Sequence, residues 1–253
     1  MTSSNRPLSG KVALVTGSAR RIGRESALLL AREGAHVVVH AKSSRHEIEA
    51  VAGEIRAEGG TATALLADVT VETEAHRLIE TIVSETGRLD ILVNNAAVRG
   101  ERSFAELDIA TFRAVYSVIV EGAFFLSQAA VPHMVRNGFG RIISIGGVAA
   151  HAGVSHRVHV ATAKAALVGF TKALAIEFGE QGITANLVVP GRIGGQRSAT
   201  SGAGGAFPGG GYLPVGHEGV PRNVAEIVRV LALPSGDFIT GQTLHVNGGM
   251  YLP

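Results

Sequence analysis

The chain has no cysteine and no tryptophan among its 253 residues, and aromatic side chains make up only 5%. Lack of cysteine excludes disulfides, a thiolate nucleophile and cysteine-ligated metals. No uncharged apolar run reaches about 18 residues, so no segment is expected to cross a membrane. Met1–Gly10 has no apolar stretch, so no secretory leader is expected, and the default expectation is a cytoplasmic soluble protein. An excess of one charge is also missing, with 23 Lys and Arg against 21 Asp and Glu. The basic residues form no run, so nucleic acid is not an expected partner.

Apolar residues and glycine are plentiful. The chain is 46% hydrophobic, enough for a large core, and 33 residues are glycine. One α/β domain spanning 1–253 fits this length. Val12–Thr16 reads as a first strand, and a glycine-bearing turn leads into a helix over Arg21–Glu33. Further strands are expected at Ala35–His40, Thr61–Ala67, Leu89–Val93, Arg141–Ile145, Ile183–Val189 and Thr243–Val246. Helical spacing covers Glu47–Glu58, Val71–Thr86, Asp108–Met134, His159–Gly179 and Val224–Leu233. This alternation predicts a Rossmann-type, doubly wound parallel sheet of about seven strands. Gly194–Gly211, with eight glycines in 18 residues, interrupts it, and 194–216 is expected to be a flexible substrate loop.

Thr16-Gly17-Ser18-Ala19-Arg20-Arg21-Ile22-Gly23 lies between the first strand and helix, where free helix N–H groups bind phosphates. This turn resembles the Thr-Gly-x-x-x-Gly-x-Gly signature of the short-chain dehydrogenase/reductase family. Asp68-Val69, Asn94-Asn95-Ala96-Ala97, Pro190-Gly191 and Asn247-Gly248-Gly249 match further family motifs in order. Within the family it resembles 3-oxoacyl-acyl-carrier-protein-reductase-like members. Arg21 stands where the family usually has its middle glycine.

The resemblance implies a dinucleotide held by Gly17, Ser18, Arg20, Arg21 and Ile22, by Lys42 and Ser43 after strand two, and by Asp68 and Val69. Asn95, Ala96, Lys164, Pro190, Gly191 and Ile193 complete that expected set. The end of strand two (His40-Ala41-Lys42-Ser43) has no carboxylate to hold a free ribose diol, and Arg20 and Arg45 are near in sequence. NADP(H) is therefore expected over NAD(H).

The family's catalytic set is a Tyr, a Lys four residues later, a Ser about thirteen before the Tyr, and an Asn on the preceding long helix. Here Lys164 matches the Lys, but Val160, Gly147 and Ile119 occupy the other positions, and none of them can donate a proton. Tyrosine-dependent carbonyl reduction is thus expected to be absent or slow. His156, on the loop before the Lys164 helix, and Tyr212, at the end of the glycine-rich loop, are the candidate substitutes. His159 is expected to point off the active face, 140° from Lys164 around the helix. No metal is expected, because His151, His156 and His159 have no accompanying carboxylate.

Three functions remain open at this stage: a nominal NADP(H)-dependent oxidoreductase on a small carbonyl or alcohol, a non-catalytic NADP(H)-binding sensor or scaffold subunit, and an enzyme of altered, non-redox chemistry. The substrate is a small molecule of unknown identity. The apolar content of the Asp108–Met134 and Lys164 helices suggests a homotetramer.

Overall fold

Seven strands form, at Val12–Val15 (β1), His36–Ala41 (β2), Thr61–Leu66 (β3), Ile91–Asn94 (β4), Gly140–Ile145 (β5), Ile183–Pro190 (β6) and Thr243–Val246 (β7). The computed structural model describes residues 6–195 and 206–253. All seven strands lie in one parallel sheet, ordered β3-β2-β1-β4-β5-β6-β7. Every residue of β1, β4, β5 and β6 is buried. That explains why apolar residues dominate them, since a parallel sheet is covered by helices on both faces.

Helices α1 (Arg21–Arg32), α2 (Arg45–Ala57) and α8 (Pro221–Ala232) cover one face, packing Leu28, Leu30, Ile48, Ile55 and Val228 onto it. Helices α3 (Glu72–Thr86), α4 (Ile109–Tyr116), α5 (Gly122–Asn137) and α7 (Val158–Phe178) cover the other, and α6 (Ala149–Ala152) is a short turn. Each fully buried leucine or isoleucine in these layers contributes roughly 1.5–3 kcal/mol.

Two helix boundaries differ by three residues from those that periodicity indicates. Asp108 caps α4 by accepting the Thr111 N–H at 2.7 Å, and the helical path runs on to Asn137. In its middle, Ser117–Glu121 widens into a π-helical turn. α8 begins three residues early, because Pro221 fills its first turn and the Asn223 side chain accepts the Val220 N–H at 2.7 Å.

By length and composition, Ile109–Asn137 is apolar enough to cross a membrane, with a mean hydropathy of 1.6 over its best window. Here it packs against α3, α7 and the sheet instead. Only 28% of that window is buried, and Ile109 and Phe124 are exposed. α7 likewise leaves Ile176 87% exposed.

The chain runs outward from β1 to β3, then returns to β4 on the other side of β1. The carboxyl ends of β1 and β4 therefore diverge into loops on opposite sides, and this divergence opens the crevice where α/β folds bind ligands.

Candidate active site

The crevice floor is a cross-brace between the ends of β1 and β4. The Thr16 hydroxyl donates to the Val93 carbonyl at 3.1 Å and accepts the N–H groups of Asn95 and Ala96, each at 3.0 Å. The Asn95 amide donates to the carbonyls of Thr16 at 2.8 Å and Gly17 at 3.0 Å. This geometry needs glycine at two points. Gly17 has φ +61°, and a Cβ on Gly23 would sit 2.6 Å from the Asn95 amide nitrogen.

Above this floor lies a cavity of about 360 Å³, lined by Gly17, Arg20, Arg21, Ile22, Lys42, Ser43, Asp68, Val69, Asn95 and Ala96 among others. A cradle that any side chain at Gly17 or Gly23 would obstruct, at the start of α1, fits the pyrophosphate of a dinucleotide. Lys42 forms an ion pair with Asp68 at 2.6 Å. Desolvation acts to raise the Asp68 pKa, but hydrogen bonds from Lys42 and Thr70 outweigh it and hold the carboxyl below its ordinary value.

His40 is 2% exposed and does not face solvent as its position at the strand end suggests. Its Nε2 lies 3.1 Å from the Ala67 carbonyl, and its Nδ1 accepts the Gly17 N–H at 3.5 Å. That pairing assigns the proton to Nε2 and ties the glycine turn to the ends of β2 and β3. Burial lowers its pKa to about 4.

A second cavity, of about 330 Å³, adjoins the first, and Arg21, Ile22 and Arg99 border both. Lys164, Pro190, Gly191 and Ile193 line it, with Gly147 and Val160. Lys164 is 5% exposed, and its ammonium donates to the Ile145 carbonyl. Desolvation, and then the nearby Arg99 charge, lower its pKa to about 7. A Cβ on Gly147 would meet nothing within 4 Å, so the space for a side chain is open there. Ile119 is buried with Val148, Val160 and Leu167 in one apolar cluster. Arg21 crosses the boundary, donating to the Ile193 carbonyl at 3.0 Å from a left-handed backbone, φ +53°.

Of the expected dinucleotide residues, all but Ser18 line one cavity or the other. Ser18 is fully buried, and its hydroxyl accepts the His40 N–H at 2.7 Å. The two expected proton-transfer substitutes are not brought in. His156 is exposed with φ +61°, Tyr212 is 74% exposed, and neither lines either cavity. His159 points off the active face but into the protein, and is 1% exposed. His151 stacks edge-on with His245, ring centres 4.7 Å apart. Among the described residues no His, Asp and Glu cluster is arranged to hold a metal. Within the expected 194–216 loop, positions 196–205 lie outside the described residues. Sequence reasoning missed Arg99, Arg157 and Arg192 in the second cavity; Arg192 directly follows one recognised motif and Arg99 stands two residues after another, and that proximity was the available signal.

A family model described as enoyl-(acyl carrier protein) reductase matches residues 17–251. The chain is 37% identical over 246 residues to a 3-oxoacyl-(acyl-carrier-protein) reductase of Synechocystis, covering 97% of this chain and 98% of that protein. It is 36% identical over 245 residues to the Escherichia coli reductase of the same name, covering 96% and 98%. Among solved structures, one from Beutenbergia cavernae, described provisionally as an NAD(P)-dependent gluconate 5-dehydrogenase, superposes with a TM-score of 0.85 at 29% identity. The match covers 98% of this chain and 99% of that one, which carries NADP at low occupancy.

The buried His40 makes stability depend on pH. The unfolded ring titrates near 6.5 and the folded ring near 4, so between these values the unfolded chain binds the extra proton. The stability contributed by neutral His40 is complete above about pH 6.5 and is lost as pH falls through 4, by up to roughly 3 kcal/mol. Urea unfolding of wild type and His40→Gln across this range should show the steeper acid loss in wild type; parallel curves would contradict the assignment.

Proposed function

The chain belongs to the short-chain dehydrogenase/reductase family of oxidoreductases, and we propose that it binds NADP(H) in preference to NAD(H) beside a small carbonyl or alcohol substrate. The observation that carries this reading is a complete nucleotide cradle opening onto a chamber where buried Lys164 stands beside Gly147 and Val160. The preference for NADP(H) rests on Arg20, Lys42 and Ser43 at the edge of the first cavity, with no carboxylate at the end of β2.

NADPH, when bound, would supply the hydride. Gly17, Arg20 and Arg21 would hold its phosphates above the floor that Asn95 braces. The Lys164 ammonium would hold the nicotinamide ribose, and a pKa lowered to about 7 would let Nζ gain or lose a proton at neutral pH. Val160, Gly147 and Ile119 offer no proton to a developing alkoxide, so the usual tyrosine route is closed. Loss of general-acid assistance slows reduction by roughly 10²–10⁴-fold.

A second reading is a non-catalytic NADP(H)-binding sensor or scaffold. It is favoured by the closure of Ile119 and Val160 into one apolar cluster with Val148. The altered-chemistry reading has less support, because His156 and Tyr212 lie outside both linings. The apolar faces left by α4–α5 and α7 fit a homotetramer, in keeping with helices that are apolar beyond one stripe. A cytoplasmic location completes the reading.

Fluorescence titration should show NADPH binding more tightly than NADH, and failure to bind either would overturn the reading. Turnover over a panel of neutral carbonyls should be slow or undetectable. The double substitution Gly147→Ser with Val160→Tyr should raise it by at least about 10²-fold, because a proton donor then faces the chamber. No gain in a folded, NADPH-binding double variant would show that the missing hydroxyls are not what limits turnover. Light scattering should give four times the 26.1 kDa chain mass, and a monomer would exclude the assembly.

A further inference from the structure

The second cavity carries an excess of positive charge that the chemistry above does not need. Among the described residues, Arg21, Arg99, Arg157, Arg192 and Lys164 line it, against one lining carboxylate, Glu218. Glu218 approaches Arg192 at 3.7 Å, a long ion pair on side chains that are 48% and 36% exposed. Arg157 pairs with Glu101 at 2.7 Å, a residue outside the lining. Counting both carboxylates, the described residues still bring three more cations than anions with Lys164 protonated, and two more with it neutral.

The field of this set already acts on one member, since the Arg99 charge helps drive the Lys164 pKa down. A neutral carbonyl compound would leave that repulsion unrelieved. An anion would relieve it, and guanidinium groups hold carboxylate and phosphate oxygens with paired, charge-assisted hydrogen bonds. A concave site with low-dielectric walls also concentrates ligands of opposite charge.

We infer that the second cavity takes an anionic small molecule, with its carboxylate or phosphate group seated among Arg157, Arg192 and Arg99. The inference deepens the proposed function and rests on reading this cavity as the substrate chamber. Arg192 and Arg157 line only the second cavity and stand outside the expected dinucleotide-holding set, so their substitution probes the anion rather than the nucleotide. Glu218, 3.7 Å from Arg192, disfavours a second anionic group there.

The test is calorimetric titration of the protein saturated with NADP⁺, using malonate, inorganic phosphate and the neutral malonamide. Malonate or phosphate should bind, malonamide should not, and binding should weaken as salt is raised. Whichever anion binds more tightly identifies the preferred group. Arg192→Gln should weaken the anion roughly tenfold, the loss expected for one hydrogen bond to a charged group. Arg157→Lys, which keeps the charge, should retain binding, and Arg157→Gln should weaken it, with thermal melts confirming that each variant folds. Equal binding of malonamide and malonate, or unchanged anion binding in folded Arg192→Gln and Arg157→Gln, would overturn the inference. NADPH titration of the same variants should be unchanged. If NADPH binds and the anions do not, the inference fails alone; if NADPH does not bind, the underlying reading fails.

Discussion

The close approach of the first turn of α1 to the loop after β4 governs the rest of the structure. Gly23 makes that approach sterically possible, and Asn95 locks it by bonding the Thr16 and Gly17 carbonyls. Thr16 adds three more hydrogen bonds at the same point. Because this brace satisfies the polar groups at both strand ends from within, the α1 N-terminus is left to face the crevice. His40 then fixes the glycine turn from the other side through β2 and β3. A single defect here would disturb the glycine turn and the loop after β4, which line the first cavity.

The same frame sets the second chamber. β5 and β6 deliver Gly147 and Pro190-Gly191 to one end of the sheet, and α7 carries Val160 and Lys164 across from them. One turn of α7 therefore presents a methyl-bearing surface and a buried amine side by side. Lys164 keeps its place through the Ile145 carbonyl, with no hydroxyl partner required. Its depressed pKa follows from that dry position and from the guanidinium group of Arg99.

Most of the fold was legible because parallel strands buried on both faces read as β-branched runs, and glycine marked the crossings. β1, β5 and β6 show this most clearly. The misjudged boundaries were those set by caps: Asn223 at α8 is a polar signal that hydrophobic periodicity does not register. The π-helical turn at Ser117–Glu121 was not legible at all, since Val118, Ile119 and Val120 continue an ordinary helical pattern. In the site, the glycine turn and Lys164 stood out because motif spacing places them. The arginines of the second cavity did not, since Arg99, Arg157 and Arg192 are scattered in sequence and converge only when three loops fold over α7. His40 was legible as a polar strand end but not as a buried brace, because burial there depends on the loop after β3.

Arg21 has a consequence for how the two chambers communicate. Its left-handed backbone costs roughly 1 kcal/mol that a glycine would not incur, and its guanidinium borders both spaces. One guanidinium can be neutralised only once. An anionic group that engages it from the nucleotide side leaves a later arrival with one cation fewer, and the reverse order carries the same penalty. Anions bound on the two sides would therefore be coupled through a shared counter-ion, with the reciprocity that linkage requires.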